Sequence, residues 1–569
     1  MAKKPANLIY GVNESPGFLS LVLLGLQHIF VLSIAFIFPV VIVDSIHGTP
    51  DQAQNLISMA MFATGIATIL QGLNKGYIGS GYLCPLVNGP AFLSASLLAG
   101  KTGGLSLIFG MTAIGGIFEG VFSRLVLRLR AVFPAEVTGT IVMMVGIEII
   151  PVAVVRFLGV DAANPSPVPS AIIVGFVTLF TMIGFNIWGK GKFRLYSVLI
   201  GMAVGYSAAF LAGELNAGHL HRLMDAPAFQ MPSFGHYGLS FDIALLVPFL
   251  VASLSSALKT MGDLTICQKI NDAEWKRPDM GSISRGILAN AAGNVISGIT
   301  GALGQSVSSS NVGLSIATGA ASRTIAYSIG AILIVSAFVP KLASIFVIMP
   351  TPVMGASLVF AASFMILAGI QILMSRMMDP RKTFVIGLSV VFGLSIDLMP
   401  DLFKNVHPWI KPFFSSSLSL ATISVIILNV LLRIGVARSA HIELRPGVDS
   451  SDTIFDFMER HGSEWGAFRD VVQRCASVIN EFFEFVSQSG LARERVNVEI
   501  TFDEFNLDAH VSYTGQPVKL SGPKQPEKDL LNDEYSLAEL SSLLIHKNAD
   551  SIKSSVKGEQ CLFHFHFEH

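Results

Sequence analysis

A lysine and an aspartate stand one helical turn apart, Lys259 and Asp263, at the far end of the apolar run "FDIALLVPFLVASLSSALKTMGDLT", Phe241 to Thr265. On a helix this i,i+4 spacing puts both on one face, where ammonium and carboxylate can pair. A charge in a bilayer costs roughly 2.5–3.5 kcal/mol on insertion scales, so the pair marks a functional site by default. Two plainer readings stay open: a helix end reaching headgroups, or a structural ion pair, since a buried lysine is expensive unless paired. Two other stretches set polar groups in apolar surroundings: Gln27 and His28 in "LLGLQHIFVL", and Ser308, Ser309, Ser310 and Asn311 in "SSSNVGLSIATGAASR". An amide donates and accepts, whereas an ammonium only donates. Together such groups suit a small polar or anionic molecule. Each also has a structural reading: His28 as a core histidine, Asn311 as a helix cap, the serines as small residues for close packing.

The elements that must position these residues are membrane helices. Of 569 residues 51% are hydrophobic and 14% charged, against about 25% charged in soluble domains, and the mean hydropathy is +0.61. The net charge of −1 gives no sign of a nucleic-acid partner. Cys84, Cys267, Cys475 and Cys561 have no pair spacing, so neither a disulfide framework nor a zinc site is expected. "MAKKPANLIYGVNESPG" is polar and leads into an apolar run too long for a cleavable signal.

At about 20 apolar residues per span, segments are expected near 18–43, 55–73, 83–99, 104–127, 134–157, 168–188 and 194–213, then 240–262, 284–302, 310–319, 324–347, 352–374, 382–399 and 415–435. The set divides into seven plus seven. The third and tenth are the interrupted ones, the third by Pro85, Gly89 and Pro90, the tenth short and serine-rich. Broken segments at matching places in two halves point to a transporter's midplane site. Lys3, Lys4, Arg128, Arg130, Lys190, Lys192, Arg194, Lys269, Lys276, Arg277, Arg285, Arg376, Arg381, Lys382, Arg433 and Arg438 fall on alternate loops. The positive-inside rule then puts both termini in the cytoplasm.

After Arg438 the composition becomes that of a soluble domain. "DTIFDFMERHGSEWGAFRDVVQRCASVINEFFEFVSQSG" has helical periodicity, and "RVNVEITFDEF" and "LDAHVSYTG" alternate as two tightly joined strands. "SLAELSSLLIHKNADSI" reads as a helix and "QCLFHFHFEH" as a final strand. The expected organisation is a cytoplasmic N-terminus over 1–17, a transmembrane transporter domain over 18–438 with repeats near 18–213 and 240–435, and a cytoplasmic α+β domain, regulatory in role, over 439–569.

Five stretches, in order, resemble the nucleobase–ascorbate transporter family of xanthine and uracil permeases: "LLGLQHIFVL", "FPAEVTGTIVMMVGIEIIPVAV", "MGDLT", "SNVGLSIATGAASR" and "MPTPVMGASLV". The likeness runs over roughly Leu19 to Arg433. It implies an all-α polytopic membrane protein of 14 transmembrane segments, built as two inverted seven-helix repeats with core and gate domains. Segments three and ten would each supply a short strand and a half-helix, meeting beside segments one and eight. The resemblance also implies an inner-membrane homodimer that imports a nucleobase with protons or sodium by elevator-type alternating access, with no cofactor.

Carried over by residue, the substrate site comprises His28, Ala91, Phe92, Lys259, Asp263, Ser309, Ser310 and Asn311. Asn311, Gly313 and Thr318 keep the family pattern, with Thr318 and Gly319 structural in role; Ser310, Lys259 and Asn290 replace expected acceptors, and Ala91 or Pro90 stands where an aromatic is usual, beside Phe92. A lysine in place of a glutamate favours an anionic or oxidised purine such as urate or xanthine over neutral uracil. A carrier of another small organic or inorganic anion and a ligand-binding sensor signalling through the tail are the alternatives. Glu119 reads as a gate or interface charge with Arg124 in reach. The tail faintly resembles the histidine-kinase-type ATP-binding fold, with Asn480 and Glu481 near the metal-binding helix. The Asp-x-Gly-x-Gly motif and the Gly-rich lid are missing, so ATP hydrolysis is not expected.

Overall fold

The computed structural model describes all residues except 1–3, 7, 75, 126–132, 161–165, 190–192, 194–195, 216–223, 274, 276–277, 375–377, 404–405, 408–409, 415, 434–437, 504–505, 519–536, 558 and 569. The orientation-setting cations Lys3, Arg128, Arg130, Lys190, Lys192, Arg194, Lys276, Arg277 and Arg376 lie outside the described residues, as does the start of "NDEYSLAELSS". The chain divides into one unit of Met1–Leu373 with Phe384–Leu428, and another of Met374–Thr383 with Asn429–His569.

In the first unit α1 (Phe18–Leu32) runs through a 3-10 turn into α2 (Ile37–Ser45), and α3 spans Pro50–Gly72. A capping box starts α3: the Thr49 hydroxyl accepts from the Gln52 N–H (3.3 Å) while Gln52 Oε1 accepts from the Thr49 N–H (2.9 Å). Strand β1 (Leu86–Asn88) and a 3-10 turn lead into α4 (Leu93–Leu125). Gly104, whose φ of 72° needs a residue without Cβ, divides it into two helical stretches. The first, after β1 and the turn, falls in the expected third segment, and the second falls in the expected fourth. Helices α5 (Ala135–Phe157), α6 (Pro169–Ile187) and α7 (Ser197–Leu211) complete the first half. The second half repeats the order: α8 (Leu246–Asn271), α9 (Met280–Thr300), β2 (Gln305–Val307), α10 (Ser309–Thr318), α11 (Arg323–Ala337), α12 (Pro340–Val347), α13 (Thr351–Leu373), α14 (Pro380–Leu398) and α15 (Ser417–Leu432).

Helix therefore occurs at each expected segment. Seven described stretches are long and apolar enough to cross a membrane, or eight if α11 and α12, bent by 84°, form one span; α7 and α15 are shorter apolar helices. Packing sorts the helices into two groups: α1, α3, α4, α8, α9 and α11 in one, α5, α6, α7 and α13 in the other. In the first group α3 meets α11 at Gly65 and Gly330, where a Cβ on either would come within 2.8 Å of the other's carbonyl oxygen.

The two strand breaks meet inside the first group. β1 and β2 pair antiparallel, Leu86 with Val307, Val87 with Ser306 and Asn88 with Gln305. Three residues cannot hold a two-stranded sheet alone; side chains fasten it. Asn294 donates to the Gln305 carbonyl (3.2 Å) and accepts from the Gln305 N–H (2.5 Å). Its amide also donates to Glu119 Oε2 (2.8 Å), while Asn290 donates to Glu119 Oε1 (2.6 Å) and to Ser256 Oγ (2.7 Å). Ser256 in turn donates to the Gln305 carbonyl (3.1 Å). Glu119 is thus no interface charge paired with Arg124. It is fully buried, and both oxygens are engaged by amides of α9.

The N-terminal stretch is built into this unit. The N–H groups of Ile9 and Tyr10 donate to the Gly319 carbonyl (2.8 and 3.0 Å), and Arg323 donates through Nε to the Val12 carbonyl (3.2 Å).

The second unit carries a five-stranded sheet in the order β3-β4-β5-β7-β6, antiparallel at every pairing. Its strands are β3 (Arg438–Leu444), β4 (Val496–Phe502), β5 (Asn506–Thr514), β6 (Ser551–Lys557) and β7 (Gln560–Glu568), with helices α16 (Ser451–Trp465), α17 (Arg469–Gln488) and α18 (Leu537–Asn548). Alternation buries Val496, Val498, Ile500 and Phe502 of β4 with Phe563, Phe565 and Phe567 of β7 against Phe482 of α17. Two strands differ from the sequence reading: β3 precedes the helices, and Ser551 and Ile552, read as helical, begin β6. The kinase-type resemblance gains no support here. Asn480 donates within its own helix to Glu484 (3.2 Å), and Glu481 accepts from the Ser541 hydroxyl (2.6 Å), so both are engaged within the domain.

Replacing Asn294 by alanine should leave the Gln305 N–H and a Glu119 oxygen unpaired in the core. The expected cost is about 1–3 kcal/mol or more, read as a lower unfolding midpoint in detergent.

Candidate functional site

A cavity of about 970 Å³ lies where the two helix groups of the first unit face each other. Gln27, Asn88, Pro90, Lys259 and Ser308 to Ser310 line one side; Val142 of α5 and Phe360, Phe364 and Gln371 of α13 line the other. The first turn of α10 opens onto it, so backbone N–H groups and the positive end of a helix dipole face the space. Asn88 donates to the Ala35 carbonyl (3.1 Å), and its Oδ1 is buried without a partner among the described residues.

Lys259 reaches the cavity wall from α8. Its Nζ donates to the Val307 carbonyl, the last of β2, and stands 3.6 Å from Asp263 Oδ2. Their side chains are only 12% and 7% exposed, and α8 runs on to Asn271. The pair is buried within the helix, not at its end. Asp263 also accepts from Ser309 Oγ at 2.9 Å. An ammonium has three donors; the Val307 carbonyl takes one, and Asp263 balances the charge as an ion pair at 3.6 Å. Among the described residues the ammonium thus keeps donor capacity for a carbonyl or anionic group in the cavity.

Asn311 and His28 sit behind that wall. Asn311 Nδ2 donates to Ser308 Oγ (2.8 Å), which turns its Oδ1 toward His28 Nδ1 at 2.7 Å. In this network the histidine proton lies on Nδ1, and Nε2 is a buried acceptor with no partner among the described residues. Both residues are buried, and neither lines the cavity.

Ser309 and Ser310 lie at the wall with Lys259, whereas Ala91 and Phe92 do not. Both are buried, and Phe92 fills the space beneath Gly304, where an added Cβ would come within 2.4 Å of the ring. Pro90 takes their place. Thr318 lines the far end and donates to the Leu314 carbonyl (2.8 Å). Sequence reasoning missed the α13 wall. Phe360 and Phe364 stand with ring centroids 4.9 Å apart, and Gln371 was legible only as one amide in the apolar run "SFMILAGIQILM". Among the described residues no metal-ligating cluster surrounds this cavity.

A family model described as a permease family, of the xanthine/uracil permease type, matches residues 19–402. A Clostridium perfringens protein, CPE0397, assigned by name to the purine permeases, is 30% identical over 75% of this chain and 93% of its own length. The xanthine permease XanP of Escherichia coli K12 is 27% identical over 75% of this chain and 95% of its own. Among solved structures, SLC26A9 aligns with a TM-score of 0.50 at 11% identity, covering 76% of this chain and 68% of that one, a likeness of fold.

Asn311→Ala removes the partner of both His28 Nδ1 and Ser308 Oγ. It should lower the unfolding midpoint by an amount equivalent to about 1–3 kcal/mol and abolish ligand-induced stabilisation. Thr318→Ala should do neither. Asn311 lies inside the first turn of α10 and is not its cap, which is Ser308; equal, mild effects at the two positions would mark Asn311 as a structural residue of that turn only.

Proposed function

The chain belongs to the xanthine/uracil permease family, and from that premise we propose that it is a secondary active transporter of an oxidised or anionic purine. It is a multi-pass membrane transporter and not an enzyme. The observation that carries the proposal is Lys259 at the cavity wall, hydrogen-bonded to a backbone carbonyl and ion-paired with Asp263, with donor capacity left for a ligand. The relatives support a purine, since XanP is a xanthine permease by name. Urate and xanthine present several carbonyls to the ammonium, the serine hydroxyls and the half-helix end, and their flat rings suit Phe360 and Phe364.

In this reading Lys259, Ser309 and Ser310 contact substrate. Asp263, Asn311 and His28 hold them in place, and Ala91 and Phe92 support the 3-10 turn behind Pro90. The fourteen segments form two inverted repeats in the plasma (inner) membrane with both termini cytoplasmic. The group bearing the strand crossing carries substrate past the other in an elevator-type movement, coupled to a proton or sodium ion, in a homodimer. Residues 439–569 regulate it.

Uptake into proteoliposomes tests this. Lys259→Gln should weaken urate and xanthine about 10- to 100-fold, the value of a charge-assisted hydrogen bond. Lys259→Glu should admit neutral nucleobases while losing anionic ones. If Lys259→Gln transports as well as the parent, the lysine is a structural group; flux of an inorganic anion without purine flux would replace the substrate class. A chain ending before β3 should keep purine-induced stabilisation yet change its transport rate. Full loss of purine binding by a folded truncation would remove the regulatory assignment.

A further inference from the structure

On β5 and β7 of the second unit alternate residues turn away from the core, and these carry an uncommon set. Asp508 pairs directly with His566, and His510 with His564. The row through His510 and His564 continues to Glu499 and His441 on one side and Lys553 on the other. Asp508 Oδ1 lies 2.8 Å from His564 Nε2 and 2.7 Å from His566 Nδ1. All three side chains are half-buried, with the three ligating atoms within 4.8 Å of one another. The His510 ring stacks on His564 at 4.5 Å and 8°, which fixes the plane of that imidazole.

Two imidazole nitrogens and a carboxylate oxygen converging on one point form the donor set of a borderline divalent ion. Three protein ligands with an open position are also the usual complement of a non-structural zinc site. With metal–ligand bonds near 2.0–2.2 Å, tetrahedral ligands stand on the order of 3.3 Å apart, so the groups need separate by only about 0.5 Å to admit the ion. To bind the ion, each neutral ring would carry its proton on the far nitrogen, Nδ1 of His564 and Nε2 of His566, and any imidazolium proton would pass to solvent. Nε2 of His564 and Nδ1 of His566 then coordinate through their lone pairs. We infer that Asp508, His564 and His566 form a divalent transition-metal site of the zinc class, clamping β5 to β7.

The test uses the full-length protein in detergent, free of any affinity tag and stripped with a chelator. Zinc titrated against a chromophoric competitor should bind at one ion per chain. Asp508→Asn and His566→Gln should each weaken it about 100-fold or more, while His441→Gln, on the same face two strands from β5, should leave it unchanged. Monodispersity on gel filtration checks the fold of each variant. Cobalt added to the unaltered protein should give the visible bands of a four- or five-coordinate nitrogen and oxygen site. Absence of binding at micromolar free zinc, binding that survives both substitutions, or a thiolate charge-transfer band with cobalt would each overturn the assignment.

Discussion

The Glu119 carboxylate and the asparagine amides that hold it fix the geometry of the site. Glu119 comes from α4, Asn290 and Asn294 from α9, Ser256 from α8, and all converge on the backbone of Gln305 in β2. A buried polar group left unpaired costs about 1–3 kcal/mol, and in a low-dielectric network each bond polarises the next. The crossing of β1 and β2 is therefore set by the helices around it. An asparagine at 290 is part of that logic. Its amide donates to Glu119, where an aspartate would set two carboxylates against each other unless they shared a proton.

The same strand transmits this order to the cavity. β2 ends at Val307, whose carbonyl takes the Lys259 ammonium, and the next residues begin the half-helix whose Ser309 binds Asp263. Lys259 is thus held by backbone as well as by a counter-charge. The two contacts hold the ammonium at the cavity wall rather than letting the long side chain swing.

What was legible in the sequence follows from what is local. Pro85, Gly89 and Pro90 announce a break wherever they fall in an apolar run, and the third and tenth segments were read from such marks. The i,i+4 spacing of Lys259 and Asp263 correctly brings the two together. Glu119 was misread because burial against α9 is a tertiary fact; nothing within "GIFEGVFSR" distinguishes a lipid-facing or interfacial carboxylate from one enclosed by asparagines 171 and 175 positions away. The orientation of Phe92 depends on Gly304 and was equally hidden. Strand β3 escaped notice because "RSAHIEL" has four polar residues and its outer face is exposed. Gln371 and the paired phenylalanines of α13 sit in a helix apolar on all sides, where periodicity carries no signal for the cavity side.

Residues 9 to 12 lie along Gly319 to Arg323, a contact that joins positions 311 apart in the case of Val12 and Arg323. The His28–Asn311 bond spans 283 positions. A ribosome delivers the first partner of each contact long before the second, so the opening helix enters the bilayer with its polar groups unmatched. During that interval His28 must stay hydrated or borrow a partner from the insertion machinery. The order of synthesis makes α10 the keystone of assembly: only when its short helix emerges can the beginning of the chain find its place, and interruption before that point leaves a bundle with buried polar groups and nothing to satisfy them.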